Sequence, residues 1–205
     1  MDTHDREGLI EGVLRALTVP MEASGRHVHL SQEGVDRLFG PGHRLAPVRD
    51  LSQPGQFVCA ERVQLCGPKG VLDKVVVLGP ERKECQAEIS LTDAVTLGVT
   101  PPVRLSGDLD GTPGFVLRYG DRVLCLDRGL MVAKRHIHMT PADAQQMGLK
   151  DKDVVSVRVP SGERSLVFGD VVVRVSEKFA LAMHIDTDES NAAAVAPGTM
   201  GEILK

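Results

Sequence analysis

Gly25-Arg26-His27-Val28-His29-Leu30-Ser31 and Lys134-Arg135-His136-Ile137-His138-Met139-Thr140 are two copies of one pattern. Each is an Arg-His-X-His run that ends on an apolar residue and a hydroxyl residue. Together they hold four of the seven histidines of the chain. Successive side chains of a β-strand alternate faces, so His27 and His29 point one way together, as do His136 and His138. Val28 and Ile137 then point to the opposite, buried face. Two imidazoles about 7 Å apart along a strand can converge on one cation, and neutral imidazole is the commonest metal ligand. A lone histidine on an apolar face is more often a hydrogen-bonded core residue. Two copies with matching flanks weigh towards metal binding.

Both copies run into a helix start. Ser31 is a good N-cap, Val35 and Leu38 share a face, and Gly40 stops that helix. Thr140-Pro141-Ala142-Asp143 supplies a hydroxyl cap, proline in the first turn and an acid at the third position, with Gly148 as the stop. Two further strand ends resemble these: Glu88-Ile89-Ser90-Leu91-Thr92-Asp93, and His184-Ile185-Asp186-Thr187-Asp188. Four strand ends therefore present a candidate ligand (His29, Glu88, His138, His184) just before a helix cap. The pattern predicts two similar half-molecules, each with an HxH strand and a second ligand strand, and a site to which both halves contribute.

Elsewhere, Val-rich runs punctuated by Gly and Pro predict strands over 61–66, 73–78, 86–91, 102–106, 115–119, 121–126, 153–159, 165–168, 170–175 and 180–185. Residues 40–56 read as loop, 107–114 as a turn cluster and Ser161-Gly162 as a turn. Leu9, Ile10, Val13, Leu14 and Leu17 fall on one stripe of a short amphipathic helix over 8–17, which Pro20 ends. Many short strands with few helices predict a mainly β protein of two similar small β-barrels with short capping helices. No G-x-G-x-x-G or Walker A run is present, which disfavours a dinucleotide or P-loop enzyme.

The chain has 205 residues, enough for a sizeable core, with five Phe, one Tyr and no Trp. A net charge of −4 argues against nucleic acid or a membrane surface as partner. No apolar run reaches 18 residues and no signal peptide is seen, which predicts a soluble, cytoplasmic protein. Cys59, Cys66, Cys85 and Cys125 show no C-x-x-C spacing and read as reduced thiols; only Cys85, close to Glu88, is a candidate for a covalent role.

Four or five histidines and a glutamate exceed one catalytic zinc, which usually takes three protein ligands. They fit two metals with three ligands each. Nitrogen ligands with a carboxylate suit zinc, and iron, cobalt or nickel accept the same donors. Such metals would polarise a carbonyl, bind a thiolate or activate water. His4 and His43 read as surface residues. Arg82, in Gly79-Pro80-Glu81-Arg82-Lys83, is an anion-site candidate whose plainer reading is a solvated turn.

The chain resembles the PduL-type phosphate propanoyltransferases, or PduL-type phosphotransacylases. The resemblance is carried by Ser24 to Ser31, Leu78-Gly79-Pro80-Glu81-Arg82, Ala87-Glu88-Ile89-Ser90, Ser106-Gly107-Asp108, Arg135-His136-Ile137-His138-Met139 and Ala182 to Ala192, in family order from about residue 9 onward. It implies reversible transfer of an acyl group, propanoyl by family default, between coenzyme A and phosphate. The substrates and products are then acyl-CoA, phosphate, acyl phosphate and CoA. By position, His27, His29 and Glu88 would hold one zinc, which also takes the CoA sulfur. His136, His138 and His184 would hold a second, open to water or phosphate. Arg82 would be a catalytic, phosphate-binding residue, and Ser24, Arg49 and Asn191 would line the CoA pocket.

The resemblance also implies interleaved barrels with the active site between them. Residues 21–25 and 134–205 make one, and 26–133 make the other with a loop insertion over 40–60. Residues 1–20 are an N-terminal helix and linker. Val76 departs from the family, which often has Arg there. Propanediol degradation inside a bacterial microcompartment is the family setting, so the compartment lumen is the alternative location. The helix over 8–17 would then contact compartment core proteins, or a second copy in a homodimer. Two rival readings are a binuclear zinc hydrolase of thioesters or phosphoesters, and a zinc-stapled module without chemistry.

Overall fold

The computed structural model describes residues 17–204; most of the amphipathic 8–17 stretch lies outside them. The described chain is mainly β and forms two compact units. One comprises residues 17–24, Arg135–Ile185 and 189–204; the other comprises Gly25–Lys134 with Asp186–Asp188.

In the first unit six strands close into a barrel. They are β1 (Thr18–Ala23), β11 (His136–Met139), β12 (Val154–Val159), β13 (Leu166–Val175), β14 (Ala182–Ile185) and β15 (Met200–Leu204), in the order β1-β14-β11-β13-β12-β15. Val19, Met21, Ile137, Met139, Val157, Val171, Val173 and Met183 fill it. These residues sit at alternate positions along their strands, as a one-sided core requires.

The second unit is a curled nine-stranded sheet. Its path is β7 (Val103–Arg104), β10 (Leu130–Ala133), β6 (Gln86–Ile89), β2 (His27–His29), β5 (Val71–Gly79), β4 (Phe57–Cys66), β8 (Phe115–Tyr119) and β9 (Arg122–Leu126), with β3 (Pro47–Asp50) paired to β4. Val28, Leu30, Leu65, Val75, Val77 and Leu117 make its core.

Pairing registers expose the repeat. Across the second unit the row reads Arg62, Val76, His27, Glu88, Met131 on β4, β5, β2, β6 and β10. Across the barrel it reads Val154, Val172, His136, His184, Glu22 on β12, β13, β11, β14 and β1. Parallel and antiparallel pairings match step for step, so β1 of the barrel is the counterpart of β10. The barrel takes its equivalent strand from the front of the chain.

The helices repeat as well. Ser31 Oγ accepts from the Gly34 N–H and caps α1 (Gln32–Phe39). Capping boxes Ser90/Asp93 and Thr140/Asp143 open α2 (Leu91–Leu97) and α3 (Pro141–Met147), and left-handed Gly98 and Gly148 close them. A fourth helix, α4 (Thr187–Ala192), follows the His184 strand.

Several expectations needed correction. Residues 40–56 are not all loop, because Pro47–Asp50 pairs with β4 as an exposed edge strand. Pro20 does not end a helix; it lies within β1, opposite Met200. The two strands expected over 165–168 and 170–175 are one, in which Asp170 takes a positive φ of 53°. β10 and β15 were not anticipated. Among the described residues no helix is long and apolar enough to cross a membrane.

Candidate metal centres

Each HxH strand places its two imidazoles on the face opposite the core, and the neighbouring antiparallel strand supplies a third donor. In the second unit Glu88 stands directly across from His27; in the barrel His184 stands directly across from His136. Within each group, His27/His29/Glu88 and His136/His138/His184, one donor atom per residue lies within 4.8 Å of the others. Five of the six side chains are buried, and His184 is half-buried.

The donor chemistry of each group fits a divalent metal. Three neutral imidazoles, or two with a carboxylate, make an ordinary three-ligand set for zinc that leaves a coordination position open. The spacing is that of side chains gathered around a common point.

Local hydrogen bonds prepare the first group. The His27 Nδ1–H donates to the Gly25 carbonyl at 2.8 Å, which turns Nε2 towards Glu88 Oε2 at 3.5 Å. His29 Nε2 lies 3.9 Å from Glu88 Oε1. Glu88 Oε1 accepts from the Ser106 hydroxyl at 2.7 Å and from Gln86 Nε2 at 2.5 Å. Outer partners of this kind set the orientation of metal ligands.

The charges follow from these contacts. Burial disfavours a charged His27, but the Glu88 carboxylate and the Gly25 carbonyl outweigh it and raise the His27 pKa. Burial holds His29 well below the ordinary histidine value, with the charges of His27 and Arg82 acting in the same direction. Burial works against an ionised Glu88 too, yet His27, His29 and the Ser106 hydrogen bond pull it well below the usual carboxylate range. Glu88 is thus an anion and His29 a neutral donor.

In the barrel group His136 and His184 stack with centroids 5.2 Å apart, and Phe179 stacks on His138 at 4.0 Å. His184 turns Nδ1 towards Glu22 Oε2 of β1 at 3.7 Å, a carboxylate–histidine pairing typical of ligating imidazoles.

Arg82 does not sit in a free turn. Its N–H donates to the Leu30 carbonyl, just beyond the HxH strand, and its Nη1 donates to Ser106 Oγ at 3.1 Å. The structure brings it into the hydrogen-bond network of Glu88. Ser24 is half-buried, its N–H donating to the Ile185 carbonyl just after His184. Arg49 is exposed on β3 and Asn191 is exposed on α4. Val76 stands opposite His27, with Arg62 opposite it on the next strand. His43, read as a surface residue, is half-buried and pairs with the half-buried Glu61 at 2.6 Å. His4 lies outside the described residues.

Gln86, Ser106 and Glu22 were not assigned to the site from sequence. Gln86 had a signal, since it lies two residues before Glu88 on the same strand face. Ser106, in the turn after β7, and Glu22, paired across the sheet with His184, are brought to their partners only by the tertiary fold.

A family model described as phosphate propanoyltransferase matches residues 20–196. The chain is 56% identical over 188 residues to a phosphate propanoyltransferase of Enterococcus faecalis, covering 92% of this chain and 89% of that protein. It is 54% identical to the protein of that name from Listeria monocytogenes, covering 96% and 94%. For the Salmonella typhimurium protein of that name the identity is 48%, covering 88% and 85%.

Proposed function

This chain belongs to the phosphate propanoyltransferase family, and from that premise we propose that it uses a zinc ion at each of its two clusters to move a propanoyl group between coenzyme A and phosphate. It is an acyltransferase. The observation that carries the reading is the linkage of Arg82, an anion-binding side chain, into the hydrogen-bond network of the Glu88 cluster.

In the forward direction a phosphate oxygen bonds to the thioester carbonyl carbon, the carbon–sulfur bond breaks, and CoA leaves as its thiolate. Bound metal would supply Lewis acidity, stabilising negative charge on sulfur and on the carbonyl oxygen. The protein supplies the positioning. The Arg82 fork matches two oxygens of a phosphate. The main-chain bond to Leu30 and the side-chain bond to Ser106 set where that fork stands. Gly25, Ser106 and Gln86 fix the ring of His27 and the carboxylate of Glu88. Glu22 orients His184.

Direct attack is favoured over an acyl-enzyme. Burial pushes the Cys59 thiol up to about 11, aided by the nearby Glu61 and Glu81 charges. Cys85 is buried, its sulfur accepting from the Ser31 N–H at 3.2 Å. Ser24, Arg49 and Asn191 are assigned to CoA; the exposed guanidinium of Arg49 suits its nucleotide phosphates. The net charge of −4 disfavours nucleic acid as a partner.

The test is CoA release from propanoyl-CoA, with and without phosphate, on native, chelated and zinc-restored protein. Release that needs both phosphate and metal is expected. Metal-dependent release without phosphate would make the protein a hydrolase and overturn the proposal.

A further inference from the structure

The hydroxyl of Ser106 has one proton and two lone pairs, and all three are in use. Glu88 Oε1 can only accept, so the proton goes to it, at 2.7 Å. The lone pairs then receive Arg82 Nη1–H at 3.1 Å and Gln86 Nε2–H at 2.8 Å. The Gln86 amide is equally committed. Its Oε1 accepts from the Gly107 N–H at 3.1 Å, which fixes which way the amide faces. Its two N–H groups go to Ser106 and to Glu88. The Ser106 hydroxyl and the Gln86 NH₂ group have their full complement of partners, and the bonds run in one direction, from Arg82 through Ser106 to Glu88. Gln86 and Glu88 are buried and Ser106 is half-buried, so the network is largely shielded from solvent.

We infer that Ser106, braced by Gln86, couples anion binding at Arg82 to metal binding at His27, His29 and Glu88, so that each ligand tightens the other. Ser106 and Gln86 are positioning residues in this scheme. The inference rests on the reading that Arg82 takes phosphate.

Its sign follows from the charges. Before phosphate binds, the Arg82 guanidinium polarises the Ser106 hydroxyl, which withdraws charge from Glu88 Oε1. The same cation, linked to Glu88 through Ser106, repels an incoming metal ion. A phosphate on Arg82 neutralises that cation. Glu88 becomes the more basic donor and the repulsion of an incoming metal ion falls. By reciprocity, metal at the cluster tightens phosphate by the same factor. Metal and phosphate therefore load together at this cluster, each held more weakly when the other is absent.

The experiment is a zinc titration of the full chain against a competing chelator, with and without inorganic phosphate, at constant ionic strength. The binding step of interest is the one moved by Glu88→Ala. Phosphate should tighten this step about fivefold or more in the native protein. In Ser106→Ala the gain should fall below about twofold, while zinc affinity without phosphate drops about 10–100-fold. Ser106→Thr keeps the hydroxyl and should restore the coupling, which separates a lost hydrogen bond from a disturbed fold.

Phosphorus NMR of the zinc-loaded protein reports phosphate binding separately. If phosphate binds the native protein and not Arg82→Gln, yet leaves the zinc step unmoved, the coupling is refuted and the Arg82 reading stands. Coupling that persists undiminished in Ser106→Ala also refutes it. If Arg82→Gln binds phosphate as the native protein does, the reading of Arg82 falls, and the inference with it.

Discussion

Replacing Glu88 by Gln keeps the shape of the side chain and removes its charge. The amide oxygen can stay where Oε1 is, accepting from Ser106 at 2.7 Å and Gln86 at 2.5 Å. That leaves the NH₂ group in the place of Oε2, 3.5 Å from His27 Nε2. It can donate to a neutral His27, but it is no metal ligand. The loss should weaken metal by at least the 10–100-fold typical of an outer-shell partner. With free zinc at about 1,000 times the native Kd, binding stabilises the native protein by about 4 kcal/mol. A hundredfold weaker site leaves about 1.4 kcal/mol, a loss of about 2.7 kcal/mol. For a chain of this size that lowers the melting temperature by about 5–10 °C. With chelator present the two proteins should melt within about 3 °C, because Gln removes the burial cost of a carboxylate along with its attraction to His27. Thermal unfolding by circular dichroism, with and without chelator, reads both differences. A variant that melts lower by the same amount in both conditions would refute the assignment of Glu88 as a ligand.

Three further outcomes are expected. His184→Ala should lower bound zinc from about two per chain to about one, while the step that Glu88→Ala moves stays in place; elemental analysis after dialysis counts the metal. Zinc entering the Glu88 cluster must displace the proton that the raised pKa of His27 retains. Its affinity should therefore fall by about tenfold per pH unit below that pKa, with the released proton measurable by calorimetry in buffers of different ionisation heat; affinity flat in pH would contradict a protonated His27. Cys85→Ala should keep turnover within about threefold and lose about 1–2 kcal/mol of stability from the small void beside Gly34; a folded variant without turnover would establish an acyl-enzyme route.

The candidate ligands were legible because strand geometry is local. Alternation alone puts His27 with His29 and His136 with His138, and the repeated caps Ser90/Asp93 and Thr140/Asp143 mark where each motif ends. Resemblance of one strand end to another then reached Glu88 and His184. What surrounds the ligands was less legible. Ser106 meets Glu88 from 18 residues away and Gln86 from 20, and no local pattern announces such pairings. β10 was hidden because three of its four residues are buried, so its Leu-Met-Val-Ala run has no alternation to show. β15 was hidden by Gly201, which reads as a breaker. The glycine is there because a Cβ would stand 2.6 Å from Val157 and 2.8 Å from Met21. The closed barrel and the open sheet come from similar motifs, and nothing within a single motif distinguishes the two outcomes.

The borrowed strand of the barrel has a consequence for synthesis. β1 leaves the ribosome first, but its two partners, β14 and β15, leave last. Throughout elongation it is an unpaired edge waiting for neighbours, while Gly25–Lys134 already has all its strands. The wait is avoidable by circular permutation. The Ile203 N–H donates to the Leu17 carbonyl at 2.8 Å, and Thr18 stands opposite Glu202. A short hairpin turn would therefore join residue 204 to residue 17, with new termini between Ser24 and Gly25. In that permutant β1 would follow β15 as an ordinary hairpin partner, the barrel strands would be contiguous, and the barrel would close with a lower contact order than in the natural chain.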